Sequence, residues 1–424
     1  MSKMKKILIL LFCLTAIFPL SGSGEAPCSY GFGGHGILVC SSGSNYYAKN
    51  SSTGEIISSG TNITTVVESV YSVLPRTGKS EIFFKGNFNV PTTISSNMSN
   101  LTLDFSEASF ILNDNVNKDI LSFIESSNVK IIGGFIDGNK DNQGGASSSG
   151  IRFYNNNPKQ TKNIYIGGVN LTNISRYGIY IENFTVVTIK DTSLNSIGTA
   201  GNEGRGVYLK NGSGATIENI VGKNFRRYGI LLNTVENGAI RDANISLARG
   251  DRGIYVFNSK NITISDCTSY ENNLAGITFS DTYNSSVINC QSYNNTNDGL
   301  LIQGDANGDT NLTKNITVIG GWYHNNHRDG IRIQALLTGN VNDVKITGAY
   351  VTGNRDVGIN LNSIDNTSIN NIYISNNIIK HNNNSSGRGV RLYLSNNTYM
   401  NNNFFEDNNI DILYFNDFSV PIKN

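Results

Sequence analysis

"RYGIYIENF", residues 176–184, carries the pattern on which the fold turns. After its glycine, Ile179 and Ile181 alternate with Tyr180 and Glu182, the period-two spacing of a strand with one buried face. The pattern returns as "GIRFY" from Gly150, "GVYLK" from Gly206, "GILLN" from Gly229, "GIYVF" from Gly253 and "GITFS" from Gly276. It continues as "GLLIQ" from Gly299, "GIRIQ" from Gly330, "GINLN" from Gly358 and "GVRLY" from Gly389, at steps of 23 to 31 residues. Such a period is that of a solenoid, whose units bury their apolar faces only by stacking on one another.

A second alternation lies between these strands, in "NVKIIGG", "NIYIGGV", "NITISDC", "NITVIGG" and "NIYISNN". Each period therefore holds two or three short strands joined by Asn, Gly and Asp turns, with no room for a helix of useful length. Coiling such units stacks equivalent strands in parallel sheets about 4.8 Å apart, so the chain is expected to be an all-β parallel β-helix. Residues 63–74, "ITTVVESVYSVL", have helical periodicity instead. They are expected to form a short helix over the N-terminal end, where a bare strand edge would invite aggregation.

Residues 1–23 have a basic start (Lys3, Lys5, Lys6), an apolar run and then small residues, the layout of a cleaved secretory signal. The expected division is a signal peptide at 1–23, a hairpin and capping helix at 24–80, and the β-helix at 81–424. Only the signal would meet a membrane, which makes the protein secreted or held at a cell surface. With 33 basic and 32 acidic side chains, nucleic acid is not indicated as a partner. Asn-x-Ser/Thr sequons, for example at Asn50, Asn62, Asn170 and Asn183, are compatible with a glycoprotein. Cys28 and Cys40 are placed to form a disulfide in an oxidising compartment. Cys267 and Cys290 each stand nine residues before a glycine, where Val169 and Ile220 also fall, and are read first as core packing, at a separation that would also permit a bond.

Residues between the buried positions form outward columns along the post-glycine sheet. One runs Arg152, Tyr180, Tyr208, Leu231, Tyr255, Thr278, Leu301, Arg332 and Asn360; its neighbour begins Tyr154, Glu182 and Lys210. Tyr177, Arg205, Tyr228 and Arg252 stand just before the glycines. Aromatic faces suit sugar rings, and guanidinium or ammonium groups suit uronate carboxylates. Removing the proton beside such a carboxylate needs a cation, a base and an acid. Tyr177, Tyr180, Glu182, Tyr208 and Lys210 are the candidates for that chemistry, with Arg152, Tyr154, Arg205, Tyr228, Arg252 and Tyr255 as substrate contacts. A tyrosine beside arginine is expected to have its pKa lowered. Glu182 and Lys210, one rung apart, are by default an ion pair.

The repeat resembles the right-handed parallel β-helix proteins of the pectate-lyase-like superfamily, from about residue 81 onward. Among these, the nearest catalytic resemblance is to mannuronan epimerases and related lyases. "IDGNKDNQ", residues 136–143, resembles their "DGN" segment, and "RYGIYIE" lies where they carry a Tyr-Gly-Phe-Asp-Pro-His-type motif. Tyr177 and Gly178 match, whereas Tyr180 and Glu182 stand where the family has Asp and His. The resemblance implies an extracellular, uronate-containing polysaccharide acted on by lyase or epimerase chemistry. The alternatives are a noncatalytic adhesion or glycan-binding solenoid, or a glycoside hydrolase using Asp298 and Asp329. That pair precedes glycines on successive coils, nominally about 4.8 Å apart. Asp305, Asn307 and Asp309 alternate in "GDANGDTN", and Asp137, Asn139 and Asp141 in "DGNKDN", as calcium-binding oxygens do or as ordinary Asx turns do. His324 and His327 are placed in a solvated turn. Oligomeric state is not legible.

Overall fold

The structure is a computed structural model that describes residues 36–145, 148–155, 161–199, 204–305, 312–364, 367–382 and 387–415. Residues 1–23, expected to be a signal peptide, and Cys28 lie outside them, as do Asn307 and Asp309. Nearly every described element is a β-strand; the exceptions are one α-helix, Ile63–Val73, and a single 3-10 turn, Lys140–Asn142. Each coil contributes three strands to three parallel sheets, and the register is the one the glycine repeat dictates. Ile179 pairs with Val207, Ile230 follows Val207, and the same column runs on through Ile254, Ile277, Leu300, Ile331, Ile359 and Val390.

The repeating glycine is required by close approach between coils. A Cβ on Gly206 would lie 2.5 Å from the carbonyl oxygen of Gly229, and one on Gly299 would lie 2.6 Å from that of Gly330. Each glycine's missing side chain is thus replaced by the backbone of the next coil. Bulky residues at this position would force the coils apart or out of register.

The abundance of asparagine has a different cause. The chain turns from one sheet into the next through single residues with positive φ, such as Asn183 (55°), Asn219 (52°) and Asn261 (56°). Asn and Asp occupy this left-handed region at lower cost than other side chains bearing a Cβ. Because a one-residue corner scarcely interrupts pairing, Tyr177–Ile197 and Arg205–Phe225 each run as one bent strand through all three sheets.

A second set of asparagines is buried and forms a ladder: Asn272, Asn295, Asn326, Asn354 and Asn382, ending on Asn408. Every side-chain oxygen in the middle of the ladder accepts twice, from the preceding asparagine's amide and from its backbone N–H, as Asn326 does from Asn295 at 2.9 and 3.2 Å. The polar groups of the turn are therefore satisfied inside the stack, which removes the penalty that burial would otherwise impose.

Inside the coils, Ile, Val, Leu and Phe from all three sheets make one continuous core. Cys267 and Cys290 are buried in it, as their spacing implies, and are free thiols with no bond between them. At the N-terminal end, Ile37–Ser42 and Asn45–Asn50 form an antiparallel hairpin, and Ile37–Ser42 also pairs in parallel with Ser80–Val90. The stack thus extends one strand before residue 81. The helix begins at Asn62, whose side chain accepts from Thr64 N–H, and buries Ile63, Val66, Val67, Val70 and Tyr71 in the same core.

Two substitutions test these contacts. Gly299→Ala, whose methyl would also crowd Asn326 Nδ2 at 2.7 Å, is expected to destabilise the protein by about 1 to 3 kcal/mol. Asn326→Ala strands buried donors and acceptors and is expected to cost about 2 to 4 kcal/mol, both measured by denaturant unfolding.

Candidate functional site

The outward column of the post-glycine sheet stacks as the repeat implies: Arg152, Tyr180, Tyr208, Leu231 and Tyr255 are successive register partners. The rings of Tyr180 and Tyr208 stack at 5.0 Å, with Tyr177 at 5.1 and 5.6 Å from them, and Tyr228 lies 5.3 Å from Tyr255. These residues form a second apolar cluster outside the coil core, flanked by Tyr255 and Phe257. Tyr177, Tyr180, Tyr208 and Tyr228 are themselves buried, at 5 to 8% exposure, so the phenol faces are used largely on one another and on arginines. The reading of these four as open surface needs that correction: a ladder spaced at the sheet repeat is close enough to stack.

Cations thread the cluster. The Arg205 guanidinium lies 4.5 Å from the Tyr208 ring and donates to the Tyr177 hydroxyl at 2.9 Å. Arg152 lies 4.2 Å over Tyr154 and pairs with Asp119 at 3.2 Å. Arg252 lies 4.7 Å over Tyr255 and, like Arg227, pairs with Asp251. Neither aspartate stood out in sequence. Asp119 occupies the pre-glycine position of a coil that lacks the glycine, since Leu121 pairs with Ile151; recognising "DILSF" as a degenerate repeat would have found it.

The polar end of the cluster is a closed network. Tyr180 donates to Glu182 at 2.6 Å, and Lys210 to the other carboxylate oxygen at 2.7 Å, so the expected ion pair is present. Burial alone would push the Glu182 carboxyl up, but the bonds from Lys210 and Tyr180 outweigh it and hold it below its usual range. The bond to Glu182 holds Lys210 above its own. Tyr180 behaves opposite to the expectation for a tyrosine beside arginine: burial, then its bond to Glu182, raises the phenol's pKa. Burial raises Tyr228 and Tyr255 as well.

Further along the same sheet, Asp298 and Asp329 do lie on adjacent coils, with Asp329 N–H donating to Asp298 Oδ1 at 3.3 Å. Both are buried rather than in solvated turns. Burial, reinforced by the neighbouring Asp298, pushes the Asp329 carboxyl up to about 7. Burial likewise raises Asp298, and Asp281 to about 6. Arg332 is buried beside the pair, its Nη1 3.8 Å from Asp329 Oδ2, and Asn360 donates to that oxygen at 2.6 Å.

Asp137 Oδ1 accepts from Asn139 N–H at 2.8 Å, an Asx turn. Asp305 donates its backbone N–H to Asp281, while its proposed calcium partners Asn307 and Asp309 are outside the described residues. Among the described residues no group of three His, Cys, Asp or Glu is arranged to hold a metal ion. His324 closes the strand Trp322–His324 and stacks on Tyr293 at 4.8 Å, in place of the turn expected for it. Cys40 is disulfide-bonded, and its expected partner Cys28 is among the residues left undescribed.

Residues 149–307 match the family model described as "Right handed beta helix region". No curated protein matches the sequence. Among solved structures, a mannuronan C-5 epimerase A-module from Azotobacter vinelandii is 14% identical, with a TM-score of 0.50 and 86% of this chain and 96% of that chain covered. The Dettilon tailspike protein is 14% identical, with a TM-score of 0.54 and coverage of 81% and 64%. The chain is a right-handed parallel β-helix, and at these identities the likeness is one of fold.

Because Glu182 is stabilised in its charged form, Glu182→Gln is expected to lower stability at pH 7 by roughly 1 kcal/mol. The folded pKa is depressed, so the wild-type advantage is present above the ordinary carboxylate range and disappears as pH falls below about 4. Unfolding curves of the two proteins across this range give the check.

Proposed function

We propose that this right-handed parallel β-helix is an exported, carbohydrate-active protein that binds an extracellular, uronate-containing polysaccharide along its post-glycine sheet and processes it by lyase or epimerase chemistry. One observation carries the reading: Tyr177, Tyr180, Glu182, Arg205, Tyr208 and Lys210 occupy two adjacent rungs and are linked by hydrogen bonds and ring contacts. Arg205 and Lys210 supply the positive charge that a uronate carboxylate needs when the neighbouring proton is removed. Tyr180, kept protonated by burial and by Glu182, suits the proton donor. Glu182, held deprotonated by Lys210 and Tyr180, suits the proton acceptor and also positions both of those side chains, while Tyr177 and Tyr208 pack their rings against Tyr180. An epimerase of a uronate polymer is among the proteins sharing the fold, in keeping with such a substrate.

A second reading, glycan binding without turnover, is favoured by the completeness of this network, since Glu182 is already engaged by both Tyr180 and Lys210. Under either reading, residues 1–23 are the export signal, and the Ile63–Val73 helix, packed against the first strands, acts as a cap on the β-helix. No helix among the described residues is long and apolar enough to cross a membrane.

Incubating the purified protein with a panel of acidic glycans separates the readings. Lyase action gives unsaturated products that absorb in the ultraviolet, epimerisation exchanges the proton at carbon five, and hydrolysis gives reducing ends alone. Lyase or epimerase turnover is expected, and Tyr180→Phe and Lys210→Ala should each lower it about a hundredfold or more. Binding without turnover establishes the second reading, and a panel that neither binds nor reacts overturns both.

A further inference from the structure

At the corner where the chain turns into the post-glycine sheet, cations gather on successive coils. Phe225 pairs with Ala248, so the residues that follow them, Arg226 and Arg249, stand on adjacent rungs, and both are exposed. Like charges one rung apart repel each other. A third cation reaches the same place from the turn Lys140–Asn142: Lys140 Nζ donates to Ser196 Oγ at 2.6 Å and to the Gly198 carbonyl at 3.5 Å. Gly198 occupies the rung before Arg226, and a Cβ on it would lie 2.4 Å from the Arg226 Cβ.

The neighbouring cations are neutralised within the chain, whereas these three are not. Arg152, Arg227 and Arg252 each pair with an aspartate, and Lys210 pairs with Glu182. Among the described residues no carboxylate forms an ion pair with Lys140, Arg226 or Arg249. Arg249 donates to Asn224 Oδ1 at 3.2 Å, a neutral acceptor that leaves its charge uncompensated. Burial lowers the Lys140 ammonium below its usual range; Asp141 opposes that shift and Arg249 adds to it, so the two cations act on each other. Donors converging from two rungs and a turn suit an anion that accepts on several sides. A sulfate or phosphate ester offers three terminal oxygens in a tetrahedral array, whereas a carboxylate offers two in one plane.

We infer that Lys140, Arg226 and Arg249 form a subsite for a sulfate or phosphate ester carried by the polysaccharide. The inference rests on the reading of the post-glycine sheet as a polysaccharide-binding face, and it adds a feature of the substrate: an ester oxyanion beside its uronates. The corner is continuous with the ring cluster on that sheet. Tyr228 follows Arg226 by two residues, at most about 7 Å of chain. Arg176, at the same corner, lies 4.6 Å over the Tyr177 ring. A glycan lying across these rings therefore brings its substituents to the corner, and the exposed guanidinium groups of Arg226 and Arg249 meet them without any rearrangement of the coils.

Calorimetry with the full chain tests this on two matched pairs of ligands: chondroitin sulfate against unsulfated chondroitin, and a phosphorylated oligomannose against its dephosphorylated form. The wild type is expected to bind the esterified member of at least one pair about tenfold or more tightly. The double variant Arg226→Gln, Arg249→Gln should lose that preference and keep its affinity for unsulfated chondroitin, and Lys140→Gln should lose part of it. Arg249→Gln alone replaces the double variant if the latter fails to fold, judged by its melting temperature. A control, Lys162→Gln with Lys345→Gln, removes the same charge from exposed positions on the strands Thr161–Gly167 and Asn340–Thr347 and should keep the preference. No preference in the wild type, a preference retained in a folded corner variant, or one lost equally in the control overturns the subsite and leaves the function proposed above standing, provided that unsulfated chondroitin or oligomannuronate still binds. Absence of wild-type binding to every glycan, oligomannuronate included, overturns both.

Discussion

The structure depends on one contact repeated along its length: the carbonyl oxygen of a glycine in one coil occupies the space where the glycine of the coil before it would carry a Cβ. Backbone meets backbone at that point, so the contact tolerates neither a larger residue nor a shift of the coil. Because side chains alternate with a period of two, a slip of one residue would exchange the core column for the outward column. The glycine stack therefore sets which side chains are buried and also which of them line up outside.

In-register stacking acts differently on different groups. For Ile and Val it gives a continuous core. For asparagine it gives ladders, since an amide is donor and acceptor at once and can pair with an identical neighbour; Asn295, Asn326 and Asn354 show this in the interior, and Asn237 with Asn261 shows it at an exposed corner. For tyrosine it brings rings to stacking distance. For like-charged groups it is unfavourable, and the chain avoids it along most of the outward face by alternating phenol with guanidinium and setting Lys210 against Glu182. Asp298 and Asp329 are the exception, two carboxyls on adjacent rungs, and burial together with their mutual repulsion is what lifts Asp329 to about 7.

The coil architecture was legible because it rests on local, periodic features: the glycine, the alternation after it and the Asx corners. Register and outward columns followed from the same features and needed no side-chain geometry. Burial of the outward residues was not legible. Sequence alternation distinguishes two faces of a strand, but it does not reveal that Tyr177, Tyr180 and Tyr208 cover one another, and so the direction of the Tyr180 shift was misjudged. Asp119 and Asp251 were missed as partners for arginine, the first because its coil lacks the glycine. Arg332 was placed on the correct column, yet only the structure shows it buried beside Asp329.

Hydroxyl-radical footprinting of the protein with and without an acidic oligosaccharide measures, residue by residue, which sheet of the coil stack the ligand covers. Protection confined to the post-glycine sheet, at Tyr154, Tyr255 and Phe257, with Trp322, Tyr373 and Tyr399 on the other two sheets unchanged, is the result predicted. Protection centred on Trp322 or Tyr373, with Tyr255 and Phe257 labelled equally in both states, would contradict it.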